Sequence, residues 1–141
     1  MLTPLLAPRS IAVIGASRRR GTVGHEVLAN LVRSGFTGPV HPVNPRATAI
    51  RSMRAWPSVR DLPDPVDLAI IVVPAVQVMP VVRECAEAGA GGLVVISSGF
   101  REAGGEGAVR EAELTAFVRD RDIRMIGPNC MGVLNADPAV S

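Results

Sequence analysis

Residues 10–24 constrain the fold more strongly than any other part of the chain. The apolar run Ile11–Ile14 is typical of a buried strand, and it stops at Gly15. Residues 23–32 then place apolar side chains at helical spacing, at Val23, Val27, Leu28, Leu31 and Val32. The segment therefore predicts a strand, a glycine-rich loop and a helix, in that order.

This loop has the features of a phosphate-binding site. The first turn of a helix leaves backbone N–H groups unpaired and carries the positive end of the helix dipole. Small residues let the backbone approach a ligand closely, and three arginines beside them add permanent positive charge. These residues are Gly15, Ala16, Ser17, Arg18, Arg19 and Arg20. The expected ligand is an anionic nucleotide.

The spacing of the glycines helps to distinguish between possible nucleotide ligands. The dinucleotide fingerprint G-x-G-x-x-G keeps its glycines closer than Gly15, Gly21 and Gly24, and it is followed by an acidic residue on the ribose. The second predicted strand, residues 39–43, ends instead in Asn44-Pro45-Arg46. Arg46 suits a ribose phosphate better than a free pair of hydroxyls. The pattern disfavours NAD and leaves CoA, which carries a 3′-phosphate, or NADP.

Composition limits what else the chain can be. With 141 residues, 48% of them hydrophobic, we expect residues 1–141 to form a single domain. The net charge is only +2 and the four aromatic residues are scattered, so the chain lacks the basic, aromatic-rich face that a nucleic-acid partner requires. No apolar run approaches the length of a membrane helix.

Residue types that are missing or rare exclude several chemistries. The chain has no lysine, which excludes Schiff-base catalysis and a lysine-containing P-loop. Two cysteines, Cys85 and Cys130, are too few for a disulfide framework or a zinc site, and no signal peptide is evident. We therefore expect no metal site and a cytoplasmic location.

The alternation of strand and helix continues along the chain. Residues 66–73, 92–96 and 123–126 are short apolar runs, and residues 76–88 and 107–120 have helical spacing. In the last helix we expect Val109, Ala112, Ala116 and Phe117 to face inward, and Arg110, Glu111, Glu113 and Arg119 to face outward. The pattern predicts an α/β fold: a Rossmann-like, doubly wound, mainly parallel sheet of about five strands with helices on both faces.

In such a sheet the ligand binds beyond the carboxyl ends of the strands. Small residues, hydroxyls, an amide and arginines are expected there, and neither a carboxylate pair nor a histidine. This set of groups binds a ligand but supplies no catalytic residue. Besides the first loop and Val23, the candidate positions are Val43, Asn44, Pro45, Arg46, Pro74, Ile96, Ser97, Ser98, Asn129 and Cys130.

Five segments, in order, give the chain a family resemblance: S-I-A-V-I-G-A-S with G-T-V-G, G-F-T-G-P-V-H-P-V-N-P-R, D-L-A-I-I-V-V-P-A, V-V-I-S-S-G-F-R-E and M-I-G-P-N-C-M-G. Together they resemble the N-terminal CoA-binding domain of ADP-forming acyl-CoA synthetases. The same domain opens the succinyl-CoA synthetase α subunit, and it occurs in synthetase-like regions fused to protein lysine acetyltransferases.

The resemblance implies a role for each matching segment. It assigns residues 17–20 to the CoA phosphates and the pantetheine arm, and Arg46 to the adenosine end. It places residues 96–98 along the pantetheine channel, and Asn129 and Cys130 near the thiol. The chain departs from succinyl-CoA synthetase at Ser97 and Ser98, where that enzyme has a threonine and an acidic residue. The position of this loop is therefore better supported than the role of either hydroxyl.

The resemblance also implies what the domain does. In the family, the phosphoryl group moves between ADP, a histidine and an acyl phosphate, and CoA captures the acyl group of that acyl phosphate as a thioester with release of phosphate. That histidine and the nucleotide site belong to other domains, so this domain is expected to hold CoA or acyl-CoA without catalysing alone. Its partners would be further synthetase domains or a partner subunit, and a homo-oligomer remains open. The sequence does not decide between a ligase and an acetyltransferase-linked parent, or between an excised domain and a stand-alone module.

Two other classes of function remain as alternatives. One is an NAD(P)-binding Rossmann oxidoreductase or redox-sensing domain, disfavoured by the long first loop and the missing acidic residue. The other is an interaction domain that binds no nucleotide and uses the fold for subunit assembly. This alternative does not explain the glycines and arginines of the first loop.

Four polar residues invite functional assignments that the sequence does not favour. We expect His41 to be a partly exposed structural residue and Cys85 to be part of the core. We also expect Cys130 to be a small buried residue rather than a reactive thiol. His25 lies in the first turn of the first helix, where it could contact a phosphate, but we do not favour that interpretation.

Overall fold

A computed structural model describes residues 2–133 and 135–137. Its strands are β1 (Ile11–Ile14), β2 (Val40–Val43), β3 (Ala49–Ile50), β4 (Met53–Arg54), β5 (Leu68–Ile71), β6 (Gly92–Val95) and β7 (Arg124–Ile126). Its α-helices are α1 (Thr3–Leu6), α2 (Val23–Arg33), α3 (Ala75–Glu87) and α4 (Glu106–Asp120), with single 3₁₀ turns at Val59–Asp61 and Arg101–Ala103.

Five of the strands form one sheet in the order β2-β1-β5-β6-β7, with every neighbouring pair parallel. Ile11 of β1 lies opposite Val40 on one side and Leu68 on the other. The strand order reverses between β1 and β5, which is the switch point where doubly wound folds bind ligands. The predicted α/β fold class is confirmed.

Alternate side chains of each strand enter two separate apolar cores. On one face, Ile71 and Val95 pack with Val82 of α3 and Leu114 of α4. On the other face, Val13, Ile70 and Val94 pack with Leu28 of α2 and Leu5 of α1. The three central strands β1, β5 and β6 are therefore buried on both sides, as in other parallel sheets, whereas the edge strands β2 and β7 are partly exposed.

The prediction of which face of α4 lies inward is wrong at Val109, Ala112 and Ala116, although Phe117 packs against the core as expected. Gly107, Leu114 and Val118 are the buried residues of this helix, and Val109 is 59% exposed. Ala112 and Ala116 are also exposed, whereas Arg110 is half-buried. The helix packs through Gly107 on the loop after β6, where an added Cβ would lie 1.9 Å from the Phe100 carbonyl oxygen. That backbone contact, which the apolar periodicity does not reveal, sets the rotation of α4.

Two features were not predicted: the four-residue helix α1 and the β3–β4 hairpin, defined here as residues 48–55. Both are too short to show a periodic pattern. The hairpin turns at Arg51 and Ser52, whose φ angles are 50° and 63°. Tight hairpins usually place Asn-Gly or Asp-Gly at such positions, so the usual sequence signal is absent.

Cys85 is a core residue, as expected. Its side chain is fully buried, and desolvation raises the pKa of the thiol to about 12. The thiolate is therefore not populated at neutral pH. In the part of the chain that the structure describes, no helix is long and apolar enough to cross a membrane.

The first turn of α2 lies against the end of β1. Gly24 packs so closely on Gly15 that an added Cβ would lie 2.0 Å from the Gly15 carbonyl oxygen. Gly15 itself has a φ of 98°. Only glycine at both positions permits this approach of helix to strand.

We therefore predict that Gly24→Ala destabilises the fold by roughly 3 kcal/mol, because backbone must move to admit the methyl group. Gly35→Ala is the control. Position 35 has a φ of 81° and open space around it, so only the left-handed conformation costs energy, about 1–2 kcal/mol. Urea unfolding of the two variants and the wild type tests this. Equal free energies of unfolding for the two variants would contradict the close contact.

His41 is a half-buried residue of β2, consistent with the structural role that we expected. Its ring meets the edge of Trp56 with centroids 6.5 Å apart, and Arg54 stacks on Trp56 at 3.9 Å. Burial lowers the pKa of His41 below its usual value of 6.5, and the Asp64 carboxylate only partly opposes this.

Because the folded state binds the His41 proton less readily than the unfolded chain, acid should destabilise the protein through this residue. This part of the stability is present at neutral pH and is lost as the pH falls below about 6.5. His41→Gln should therefore flatten the fall in unfolding free energy between about pH 6.5 and 5.5. Urea unfolding at both pH values tests this, and parallel wild-type and variant profiles would contradict it.

Candidate functional site

The loops that follow the five parallel strands meet at one edge of the sheet. Each is joined to its neighbour by backbone hydrogen bonds: Gly15 N–H donates to the Val43 carbonyl, Val72 N–H to Ile14, Ile96 N–H to Ile71, and Asn129 N–H to Ser97, all at 2.9–3.0 Å. The structure therefore brings the predicted site segments into one continuous row. Their order across the edge follows the strand order β2-β1-β5-β6-β7.

The glycine-rich loop between β1 and α2 is held from behind by side chains. Asn44 Nδ2 donates to the Ala16 carbonyl at 2.8 Å, and Thr22 Oγ1 donates to the Arg19 carbonyl at 2.7 Å. His25 Nδ1 lies 3.1 Å from the Ser17 carbonyl oxygen. The carbonyl dipoles of this loop are thus engaged by the protein.

The N–H groups of the same loop remain available. Among the described residues, the backbone N–H groups of Ser17, Arg18, Arg20, Gly21 and Gly24 meet no hydrogen-bond acceptor. Thr22 caps α2 by accepting a hydrogen bond from the His25 N–H at 3.3 Å. Free N–H groups at the start of a helix, with their carbonyls turned away, are suited to an anion.

His25 supports this loop and does not present itself to a ligand. Only 9% of the residue is exposed, and its ring contacts the Ser17 carbonyl oxygen. This geometry fits a structural role for His25 better than contact with a phosphate, in line with our expectation. The sequence offered no sign of this hydrogen bond, because the two residues meet only through the turn of the loop.

The three arginines of the loop differ in their surroundings. Arg18 donates its Nε–H to the Ala49 carbonyl at 2.8 Å. Arg19 and Arg20 are exposed, and their guanidinium groups have no ion-pair partner in the described part of the chain. Arg46 is likewise exposed, at the end of β2.

Asn44 organises the turn after β2. Besides holding Ala16, its Oδ1 accepts a hydrogen bond from the Arg46 N–H at 2.7 Å, and its own N–H donates to the Trp56 carbonyl at 2.9 Å. Pro45 is exposed in this turn, whereas Val43 is buried in the core. Val43 therefore contributes backbone to the edge rather than a side chain.

Charge is distributed unevenly along the chain. Residues 1–54 contain eight arginines and a single carboxylate, Glu26, while the other twelve acidic residues lie between Asp61 and Asp137. The excess positive charge coincides with the loops after β1 and β2. By contrast, residues 72–74, 96–100 and 127–133, which follow β5, β6 and β7, contain no charged side chain.

A buried serine ties the loop after β6 to a neighbouring loop. Ser97 is buried, and its hydroxyl donates to the Val73 carbonyl, which ties this loop to the one after β5. Ile96 is half-buried and Ser98 is exposed. Of the two serines, Ser98 is the one whose hydroxyl faces solvent, and Pro74 lies exposed at the start of α3.

Glu102 is a residue of this region that the sequence reasoning missed. Its Oε1 accepts hydrogen bonds from the N–H groups of Phe100 and Gly99. The bond from Phe100 is the main cause that holds the pKa of Glu102 below its usual value. Arg110 donates to the Gly99 carbonyl from α4 at 3.3 Å. An acidic residue shortly after a Ser-Gly turn was the available signal.

Asn129 and Cys130 lie at the β7 end of the row. Asn129 is exposed, with a φ of 55°. The Cys130 sulfur lies 3.2 Å from the Val95 carbonyl oxygen and packs beside the apolar core. Cys130 is half-buried rather than buried, but its contact with the core is consistent with the packing role that we expected.

Known proteins share the sequence and the fold of this chain. A family model described as a CoA-binding domain matches residues 9–136. The ADP-forming acetate–CoA ligase II of Archaeoglobus fulgidus is 46% identical over 136 residues, which are 96% of this chain and 20% of that protein. The α subunit of the corresponding Pyrococcus furiosus ligase is 44% identical over 135 residues, 96% of this chain and 29% of the subunit.

A solved structure shows the same fold. An acetyl-coenzyme A synthetase of Ca. Korarchaeum cryptofilum, in complex with phosphate and ADP, matches with a TM-score of 0.90 and 40% identity. The match covers 95% of this chain and 28% of that one. The chain therefore spans less than a third of the length of each of these proteins. None of the three is an oxidoreductase, so they give the NAD(P) alternative no support. The chain belongs to the family of CoA-binding domains of ADP-forming acyl-CoA synthetases.

Proposed function

We propose that this domain holds CoA or acyl-CoA in an extended conformation along the carboxyl edge of its sheet. The observation that carries the proposal is the change in character along that edge. The loops after β1 and β2 carry arginines and free N–H groups, whereas the residues that directly follow β5, β6 and β7 (72–74, 96–100 and 127–133) carry no charged side chain. CoA has the same polarity, since its phosphates lie at one end and its neutral pantetheine arm at the other.

This orientation gives each segment a role. The glycine-rich loop, with Ser17, Arg19 and Arg20, receives the pyrophosphate. Arg46 faces the 3′-phosphate at the β2 end. Residues 96–98 line the pantetheine arm, and Asn129 lies near the thiol. Four strand spacings of about 4.8 Å separate β2 from β7, so the ligand would extend over roughly 19 Å.

We also propose that residues 1–141 act as one CoA-holding domain within a larger ADP-forming acid–thiol ligase, which joins a carboxylic acid to CoA while ATP is converted to ADP and phosphate. The two ligases to which the chain is similar support this parent over an acetyltransferase. Since the chain spans 20% and 29% of them, the phosphorylated histidine and the nucleotide site would belong to further domains or a partner subunit. Both cysteines are free thiols, in keeping with a reducing cytoplasm.

Thermal unfolding with single ligands tests the proposed specificity. CoA at a hundred times its dissociation constant should stabilise the protein by about 2.7 kcal/mol and raise Tm by several degrees. Acetyl-CoA should act similarly, since the acyl group lies at the far end of the ligand. NAD and NADP at the same concentrations should leave Tm unchanged. A shift with NADP and none with CoA would overturn the proposal.

Arg46→Ala tests the position of the 3′-phosphate. Loss of one charge-assisted contact costs about 1.5–3 kcal/mol, so CoA affinity should fall roughly ten- to a hundred-fold. Affinity for 3′-dephospho-CoA should hardly change. Arg33→Ala is the matched control, because Arg33 is an exposed arginine at the other end of α2. Titration calorimetry measures all four affinities, and equal losses for both ligands would remove Arg46 from the phosphate.

A further inference from the structure

The β3–β4 hairpin lies beside the proposed adenosine end of the site. It begins just after the Asn44–Arg46 turn and is closed by a hydrogen bond from the Ala55 N–H to the Thr48 carbonyl at 2.9 Å. The next residue, Trp56, donates its N–H to Pro42 and accepts from Asn44, both at 2.9 Å. The base of the hairpin is therefore fixed to β2.

The hairpin also touches the core beneath the glycine-rich loop. Ile50 is 1% exposed and packs in the same apolar cluster as Ala16 and Leu28. The hairpin thus bridges the two cationic loops: its base adjoins the turn after β2, and its inner side chain packs in the core that underlies the loop after β1.

The hairpin depends on contacts outside itself. Its strands are two residues long and pair only with each other. Both turn residues, Arg51 and Ser52, have left-handed φ angles, which cost about 1–2 kcal/mol each for residues other than glycine. An isolated two-stranded hairpin is marginal even with a favourable turn. Contacts from neighbouring elements must therefore hold it in place.

Arg18 supplies such a contact. Its Nε–H donates to the carbonyl of Ala49, the first residue of β3, at 2.8 Å. In the described residues, the side chains of Arg19 and Arg20 make no comparable hydrogen bond. This contact separates Arg18 from its two neighbours in the triplet.

We propose that the hairpin is a wall of the CoA site, and that Arg18 is a positioning residue that holds it against the glycine-rich loop. Arg19 and Arg20 then supply the loop's side-chain charge to the phosphates. This inference rests on the proposed function, because the wall encloses the adenosine end of CoA. The three adjacent arginines would then have two different roles: Arg18 holds the hairpin, and Arg19 and Arg20 contact the ligand.

Alanine variants of the three arginines test this division, each serving as a matched control for the others. Hydrogen exchange of residues 48–55 is measured without CoA, and CoA affinity is measured at several salt concentrations. Arg18→Ala should speed hairpin exchange and weaken CoA binding about tenfold, with the wild-type dependence on salt. Arg19→Ala and Arg20→Ala should leave hairpin exchange unchanged and reduce the salt dependence, because salt screens only the charge contacts that remain.

Three results would overturn the proposal: unchanged hairpin exchange in Arg18→Ala, unchanged CoA affinity, or a reduced salt dependence like that of the other two variants. Arg18→Met repeats the test with the aliphatic stem retained, should the alanine variant be unstable. Failure of the wild type to bind CoA would reject the proposed function instead. Even then, the exchange measurement made without ligand would still decide whether Arg18 holds the hairpin.

Discussion

The contact between Gly15 and Gly24 is the constraint on which the site depends. It seats the first turn of α2 directly against the end of β1, at the point where the strand order reverses. A side chain at either position would push the helix away or strain the backbone. Because the helix begins so close to the sheet, its unpaired N–H groups reach the same edge as the loops after β2 and β5.

The site depends on side chains that hydrogen-bond the carbonyl groups of the glycine-rich loop. Asn44, His25 and Thr22 engage the carbonyl groups of the glycine-rich loop, so that its N–H groups are left for a ligand. None of these side chains needs to touch the ligand to matter. The arginines then add charge at the surface, where they contribute to attraction without the cost of burial.

Strong local patterns predicted the sheet well. The strands around Val13, Ile70 and Val94 are nearly unbroken apolar runs, and Gly15, Pro74 and Gly99 mark the loops that follow them. The row of site loops followed from the rule that parallel strands end at one edge. What failed were features set by tertiary backbone contacts. The rotation of α4 follows from Gly107 on Phe100, and the hairpin has no sequence signature of its turn.

The distinct surroundings of Arg18 could not be foreseen either, since nothing in R-R-R distinguishes the first arginine from the others.

The uneven charge along the edge limits which parts of a ligand this domain can bind. In the proposed orientation, the cationic end would bind the phosphates of CoA, but residues 127–133 offer no charged group near the proposed position of the thiol. A carboxylic acid substrate would meet no cation from this loop. In the proposed orientation, groups outside residues 127–133 would therefore have to recognise the acid, and the role of this domain would be to position the thiol.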